Sequence, residues 1–307
     1  MLKEPPVKLD DIWSFFVPLE SFKMETASQK IGETLHLREL GQEEKNYLFE
    51  APLFDLSEIR ALESRFGISS SYAQGQWSDR TKIIVETHSL ITAFRLHMAG
   101  NIGASAAYET NGRIRKTSAG EFKLGGLEVR PSCSEYLLAE DAWSKILILF
   151  QFVKDETSGK APLGLESAIR RFNLSYARYY SEDRIVDLTI SLESSLLQGD
   201  NVYKKKSILA KRSAAILGDD NTFNIPDLLG AMYNVRNEIV HGGKHLFELQ
   251  DKLSKRHSAF SLQEFPEVCE EAVRCILKAY IDIGVRTNFS VKAINELLRQ
   301  GKALHEF

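Results

Sequence analysis

Asn234, Arg236, Asn237 and His241 fall within eight residues of one another, in the stretch PDLLGAMYNVRNEIVHGG from Pro226 to Gly243. An imidazole that titrates near neutrality, a permanent guanidinium cation and two amides are side chains suited to acting on a phosphate. Pro226 suits the first helical position, Asp227 favours the positive end, and Gly242 and Gly243 supply a stop. The stretch therefore reads as one capped helix of about four turns, with His241 where the helix dipole favours a protonated ring. At about 100° per residue, Leu228, Leu229, Met232, Tyr233, Val235, Ile239 and Val240 define a core arc that contains Arg236. Asn234, Asn237 and His241 form a separate polar strip, in which Asn237 and His241 are one turn apart. Arg236 and His241 are about 140° apart, so Arg236 joins the strip only by wrapping around the helix or through a loosened last turn at Gly242. Each has a commonplace alternative role. A histidine before Gly-Gly is often a cap, and an arginine in an apolar arc is often half of an ion pair.

Neighbouring helices must hold this one. Over Asp183 to Leu197, the arc of Ile185, Val186, Leu188, Leu192, Leu196 and Leu197 includes Glu193; over Tyr203 to Leu217, the arc of Ile208, Leu209, Ala215 and Ile216 includes Arg212. Burying either charge alone costs several kcal/mol, so a Glu193–Arg212 pair joining the two helices is expected, the alternative being that both reach water at the edge. Leu165, Ala168, Ile169, Phe172, Tyr176 and Tyr179 share one face, as do Phe265, Val268, Cys269, Ala272, Ile276 and Ile283. Short loops between such helices imply an antiparallel bundle. Lys204, Lys205, Lys206 and Lys211 either track a nucleic-acid backbone near the site or form a solvated helix face.

The first half of the chain reads differently. Residues 1–66 mix short apolar runs with a helix expected from Leu56 to Phe66, stopped by Gly67. From Thr81 the runs TKIIVE and LITAFRLHM, followed by glycines at 100, 103, 112, 120, 125 and 126, read as strands joined by turns. Arg113, Arg115, Lys116, Lys123 and Arg130 around these glycines read as the solvated side of a hairpin, with a nucleic-acid face as the alternative. After Pro131 helix dominates: Ala139 to Lys154 is expected to be helical, although ILILFQFV also suits a buried strand, and DETSGKAP at 155–162 reads as a linker. The expected class is α+β, with an N-terminal mixed α/β domain of antiparallel strands at 1–155 and an all-α helical bundle at 156–307.

Composition bounds the function. A chain of 307 residues with 43% hydrophobic content supports two cores and excludes global disorder. No apolar run approaches the roughly 20 residues of a membrane helix, and MLKEPPVKLDDIW has no apolar signal region, so a soluble, cytoplasmic protein without a membrane partner is expected. Net charge is −3, made up of −4 over residues 1–155 and +1 over 156–307, which excludes a generic polyanion binder and leaves the second half open to a phosphate-bearing ligand. Cys133 is isolated, and Cys269 and Cys275 are six apart, which is neither a disulfide framework nor zinc spacing. His88, His97, His245, His257 and His305 show no grouping, and no phosphate loop, dinucleotide fingerprint, nucleophile elbow or metal-spaced carboxylate cluster appears. No metal or cofactor is expected.

The order of features in 164–243 resembles the higher eukaryotes and prokaryotes nucleotide-binding (HEPN) superfamily, closest to its Apea-like branch. The resemblance is carried by DRIVDLTISLESSLL, then KKKSILAKRSAAILG, then YNVRNEIVHGG, an Arg-Asn pair with a histidine five residues after the arginine. It covers roughly the C-terminal half. It implies an all-α domain that forms a homodimer and brings two Arg-His motifs into one cleft, in many cases a metal-independent endoribonuclease of a defence, abortive-infection or toxin system. Carried over, His241 is the general acid or base, Arg236 stabilises phosphorane charge and Asn237 orients the histidine or the phosphate, with Asn234, Glu193 and Arg212 supporting. RNA is then the substrate, and the N-terminal domain senses or restrains through a regulatory protein or phage-derived trigger. A second class of function is a non-catalytic module that dimerises or binds a nucleotide. The intact Arg236, Asn237 and His241 set favours the first.

Overall fold

Antiparallel pairing outward from one buried strand organises the N-terminal half of the chain. The protein is seen in a computed structural model that describes residues 12–50, 64–73, 77–104, 106–111, 113–116, 135–158, 164–198, 203–217, 224–249 and 264–301. Strand β1 (Ile12–Pro18) buries Phe15, Phe16 and Val17, a run that faces both sides of the sheet and so needs cover on both. It pairs with β5 (Phe66–Ala73) in the register Ile12 to Ala73 and, on its other edge, with β6 (Tyr108–Thr110). With β3 (Ser28–Ile31), β4 (Leu35–Glu39) and β7 (Ile114–Lys116), the sheet order is β3-β4-β5-β1-β6-β7, all antiparallel. A separate two-stranded parallel ribbon joins β2 (Phe22–Met24) to β8 (Tyr136–Leu138). Phe22, Phe94, Tyr136 and Trp143 pack ring against ring beside it. Gly100 has φ +147°, and a Cβ there would lie 2.9 Å from the Tyr136 ring, so no side chain fits.

Where strands were expected from Thr81, the chain forms a single helix, α2 (Trp77–His97), after the shorter α1 (Gln42–Glu50). Its β-branched residues favour strand locally, but 21 residues without glycine or proline are far too many for one strand. Buried side chains lie all around it, among them Ile83, Leu90, Ile91 and Phe94, so the helical stripe is hidden in the sequence. The charges buried with them are held: Glu86 by Thr34 and by Lys154 at 3.3 Å, and Arg95 by donation to the Ile102 carbonyl at 3.0 Å.

The helix expected to end at Phe66 falls largely at 51–63, outside the described residues, and Phe66 itself opens β5. The hairpin expected near Arg113 is β6–β7; its Arg115 lies over the Trp13 ring at 4.1 Å and 3.7 Å from Glu109, while Lys123, Arg130 and Cys133 lie outside the described residues. After a 3-10 turn at Glu140–Ala142, helix α3 (Trp143–Thr157) runs on through the first three residues of the expected linker.

The chain divides into two compact units, one of residues 1–95 and 99–154, the other of 96–98 and 155–307. The second contains α4 (Glu166–Tyr176), α5 (Ser181–Leu196), α6 (Lys205–Leu217), α7 (Ile225–Gly242), α8 (Phe265–Thr287) and α9 (Val291–Arg299). Helix α5 is central, packing on α4, α7 and α8, while α6 packs chiefly on α7. The expected face of α4 is buried except for Tyr179, which lies beyond the helix end and is exposed. Buried polar groups join the helices: Ser191 donates to the Ala168 carbonyl at 2.8 Å, and Asn295 links Tyr280 at 2.6 Å to the Ser195 carbonyl at 2.8 Å. Cys269 is buried and Cys275 half-buried, both as free thiols. Among the described residues no helix is long and apolar enough to cross a membrane.

Candidate active site

Helix α7 is built as its end signals require. Asn224 donates to Asp227 at 2.7 Å before the first turn, and Pro226 sits where a missing N–H costs nothing. At the other end Gly243 takes φ +60°, its N–H bonds the Ile239 carbonyl at 3.2 Å, and the Lys244 N–H bonds the Glu238 carbonyl at 3.3 Å. The helix is thus closed by Gly243 and Lys244, without His241.

Its buried residues are Ile225, Leu228, Leu229, Gly230, Ala231, Met232 and Val235. From Arg236 onward every residue is half-buried or exposed, and Val240, expected in the core, is exposed. The last two turns lie at the edge of the helix bundle, with Arg236, Asn237, Glu238 and Ile239 half-buried and Val240, His241 and Gly242 exposed.

Arg236 bends toward the polar strip and donates from Nη1 to Asn237 Oδ1 at 3.1 Å. Its Nε is buried and has no hydrogen-bond partner. Elsewhere in the unit, arginines hold carboxylates: Arg171 and Arg178 bond Asp187 at 2.9 and 2.6 Å, Arg184 bonds Glu267 and Glu270, and Arg274 bonds Glu270 at 2.6 Å. Arg236 holds only an amide oxygen. Among the described residues it is a cation with no carboxylate partner, and the ion-pair role fails for it.

His241 is exposed, on the same helix and about 7.5 Å further along its axis than Arg236. Its ring has no hydrogen-bond partner among the described residues, so it neither caps the helix nor bonds Asn237. Asn234 accepts from Lys206 Nζ at 3.3 Å. Lys206 reaches it by crossing Gly230, where a Cβ would lie 3.0 Å from Lys206 Cε. One of the four candidate lysines therefore meets the strip. Lys204, Lys205 and Lys211 are exposed, and Lys204 takes φ +69° ahead of α6, where its carbonyl accepts the Ser207 and Ile208 N–H groups.

The expected Glu193–Arg212 pair does not form. Arg212 is buried as expected, but it donates to the Leu196 carbonyl at the C-terminal end of α5, a site with partial negative charge that competes for a guanidinium. Glu193, one turn earlier, lies 3.9 Å from Lys205 and leaves Oε1 buried without a hydrogen bond. Of the arc around Arg212, Leu209 is buried and Ala215 is exposed.

The buried ionic centre of the bundle lies elsewhere and was missed in the sequence. Glu270 accepts from Arg274 at 2.6 Å, Tyr176 at 2.8 Å and Arg184 at 3.1 Å. Burial acts to lower the Arg274 pKa, but Tyr176 and Glu270 outweigh it and hold the guanidinium above its ordinary value. Glu270 and Arg274, four apart within the apolar arc of α8, would have been found by the projection that exposed Glu193. No group of three His, Cys, Asp or Glu side chains among the described residues is placed to hold a metal ion. The chain matches no family model, no curated protein and no solved structure.

Proposed function

We propose that the second unit is an HEPN-like domain and that the strip on α7 cleaves RNA in a metal-independent reaction. One observation carries this reading: Arg236 is half-buried and has no carboxylate partner among the described residues, so its charge is available to a ligand. His241 removes the proton from a 2′-hydroxyl as its oxygen attacks phosphorus, and a proton is delivered to the 5′-oxygen as the P–O5′ bond breaks. The products are a 2′,3′-cyclic phosphate and a 5′-hydroxyl. Arg236 stabilises the charge that builds on the phosphorane oxygens, and Asn237 fixes the guanidinium through Oδ1. Two proton transfers need two groups, and a homodimer supplies two copies of His241 in one cleft. The N-terminal unit then senses or restrains, answering to a regulatory protein or phage-derived trigger.

The test is cleavage of RNA by the full-length protein in EDTA, beside His241→Ala and Arg236→Ala. Loss of a preorganised charge-stabilising group costs about 100- to 1,000-fold in rate, and loss of a general acid or base costs about 100- to 10,000-fold. Equal cleavage by all three proteins removes the site. No cleavage with or without a trigger leaves a non-catalytic dimerisation or nucleotide-binding module.

A further inference from the structure

Beyond His241 the chain does not return to the core at once. His245 and Phe247 stand 68% and 70% exposed, their rings nearly parallel at 9° with centroids 5.6 Å apart. Across from them, in the corner between α4 and α5, Tyr179 and Tyr180 are 81% and 64% exposed and meet edge to face at 5.1 Å. His245 Nδ1 lies 3.7 Å from Glu182 Oε1, two residues after Tyr180, which brings the two aromatic pairs to one end of the bundle. His245 follows His241 by four residues.

Burial is the ordinary fate of rings of this size, and four of them in the open beside one site call for an occupant. Three neighbouring carboxylates are already committed: Glu182 to His245, Glu238 to Lys244 at 2.6 Å, and Glu248 to the His245 backbone N–H at 2.7 Å. Among the described residues, Arg236 and His241 have no carboxylate partner. The end of the bundle therefore offers open ring faces just past the helix end that carries Arg236 and His241, and the two features together complement an unpaired nucleotide with its base and its phosphate.

We infer that His245 and Phe247, together with Tyr179 and Tyr180, form a base-stacking subsite that holds unpaired nucleotides next to His241, so that the substrate is single-stranded RNA. Bases stacked within a duplex cannot reach these rings, whereas single strands stack on aromatic side chains with little regard to sequence. The subsite rests on the ribonuclease reading for its role but makes its own prediction for binding.

The experiment measures binding of a fluorescein-labelled 12-nucleotide single-stranded RNA and of the matched duplex to full-length His241→Ala, which binds without cutting. Phe247→Ala and the pair Tyr179→Ala and Tyr180→Ala are added in that background. Each stacking contact is worth about 1–3 kcal/mol, so each change weakens single-strand binding by about 5- to 150-fold, while Phe247→Tyr keeps binding within about threefold and the duplex binds weakly to every variant. Unchanged single-strand affinity in the alanine variants overturns the subsite. So does a loss of self-association in sedimentation, which would assign the rings to a second copy of the chain. Ring-dependent binding without cleavage by the parent would sink the ribonuclease reading and leave the subsite standing. His241-dependent cleavage indifferent to the rings would do the reverse.

Discussion

If Arg236 is an available cation, its removal must be nearly free for the fold. Arg236→Met keeps an unbranched apolar stem and removes one hydrogen bond, to Asn237 Oδ1 at 3.1 Å in a part-buried setting. That bond is worth about 0.5–1.5 kcal/mol, and deleting the guanidinium also relieves a buried Nε without an acceptor, a penalty of about 1–3 kcal/mol. The two oppose each other, so the net change stays within about 1 kcal/mol of zero and can be stabilising. Arg274→Met is the control. Arg274 is 1% exposed and bonds Glu270 and Tyr176, so its loss leaves buried partners uncompensated and costs about 3–5 kcal/mol. Urea unfolding followed at 222 nm reports the helices of both units, and tryptophan fluorescence reports the first alone, since Trp13, Trp77 and Trp143 all lie there, so a transition seen at 222 nm without a fluorescence change belongs to the second unit. Equal losses for the two variants would show that Arg236 is structural and would end its candidacy as a catalytic group.

Two further outcomes follow from the geometry. Burial, and then the charge of Arg95, push the His88 pKa down to about 4 from 6.5. Between those values the unfolded chain takes up a proton that the native one refuses, so the His88 contribution to stability is constant above about pH 6.5 and falls by up to about 3 kcal/mol on acidification to pH 4. Tryptophan-monitored unfolding should show that loss in the parent and a smaller one in His88→Gln; identical pH profiles would contradict the assignment. Gly230→Ala should raise the unfolding free energy by about 0.5–1 kcal/mol through helix propensity, because the new Cβ meets only the flexible end of Lys206 at 3.0 Å. A loss above 2 kcal/mol would show that Lys206 is rigidly packed there.

The helical half was legible because its signals are local. Pro226 and Gly243 bound α7 where their backbone preferences require, and apart from exposed Tyr179 and half-buried Val268 the apolar faces expected on α4 and α8 are buried. Helix α2 was not, because a helix buried on all sides loses the polar face that reveals its period, and β-branched residues then mimic a strand. Inward charges were legible, but their partners were not. Arg212 turned to the end of α5, since a helix terminus attracts a cation and projection shows directions without carbonyl groups. For the site, angular projection alone kept Arg236 in the core. Burial falls off along α7 after Val235, a tertiary fact, and the half-buried guanidinium turns to its neighbour Asn237. The exposed rings at Tyr179 and Phe247 were invisible for the same reason, since a period counts Tyr179 with α4 although the helix ends at Tyr176.

The most direct test of the account is chemical rescue of His241→Ala. The ring it replaces is exposed and has no partner among the described residues, so the space left is open to a small base from solution. Added imidazole should restore RNA cleavage in EDTA to His241→Ala in proportion to its concentration, and should leave Arg236→Ala inactive, because imidazole replaces a proton carrier and not a cation. Full activity of His241→Ala without imidazole, or equal stimulation of both variants, would contradict the claim that this strip performs the cleavage.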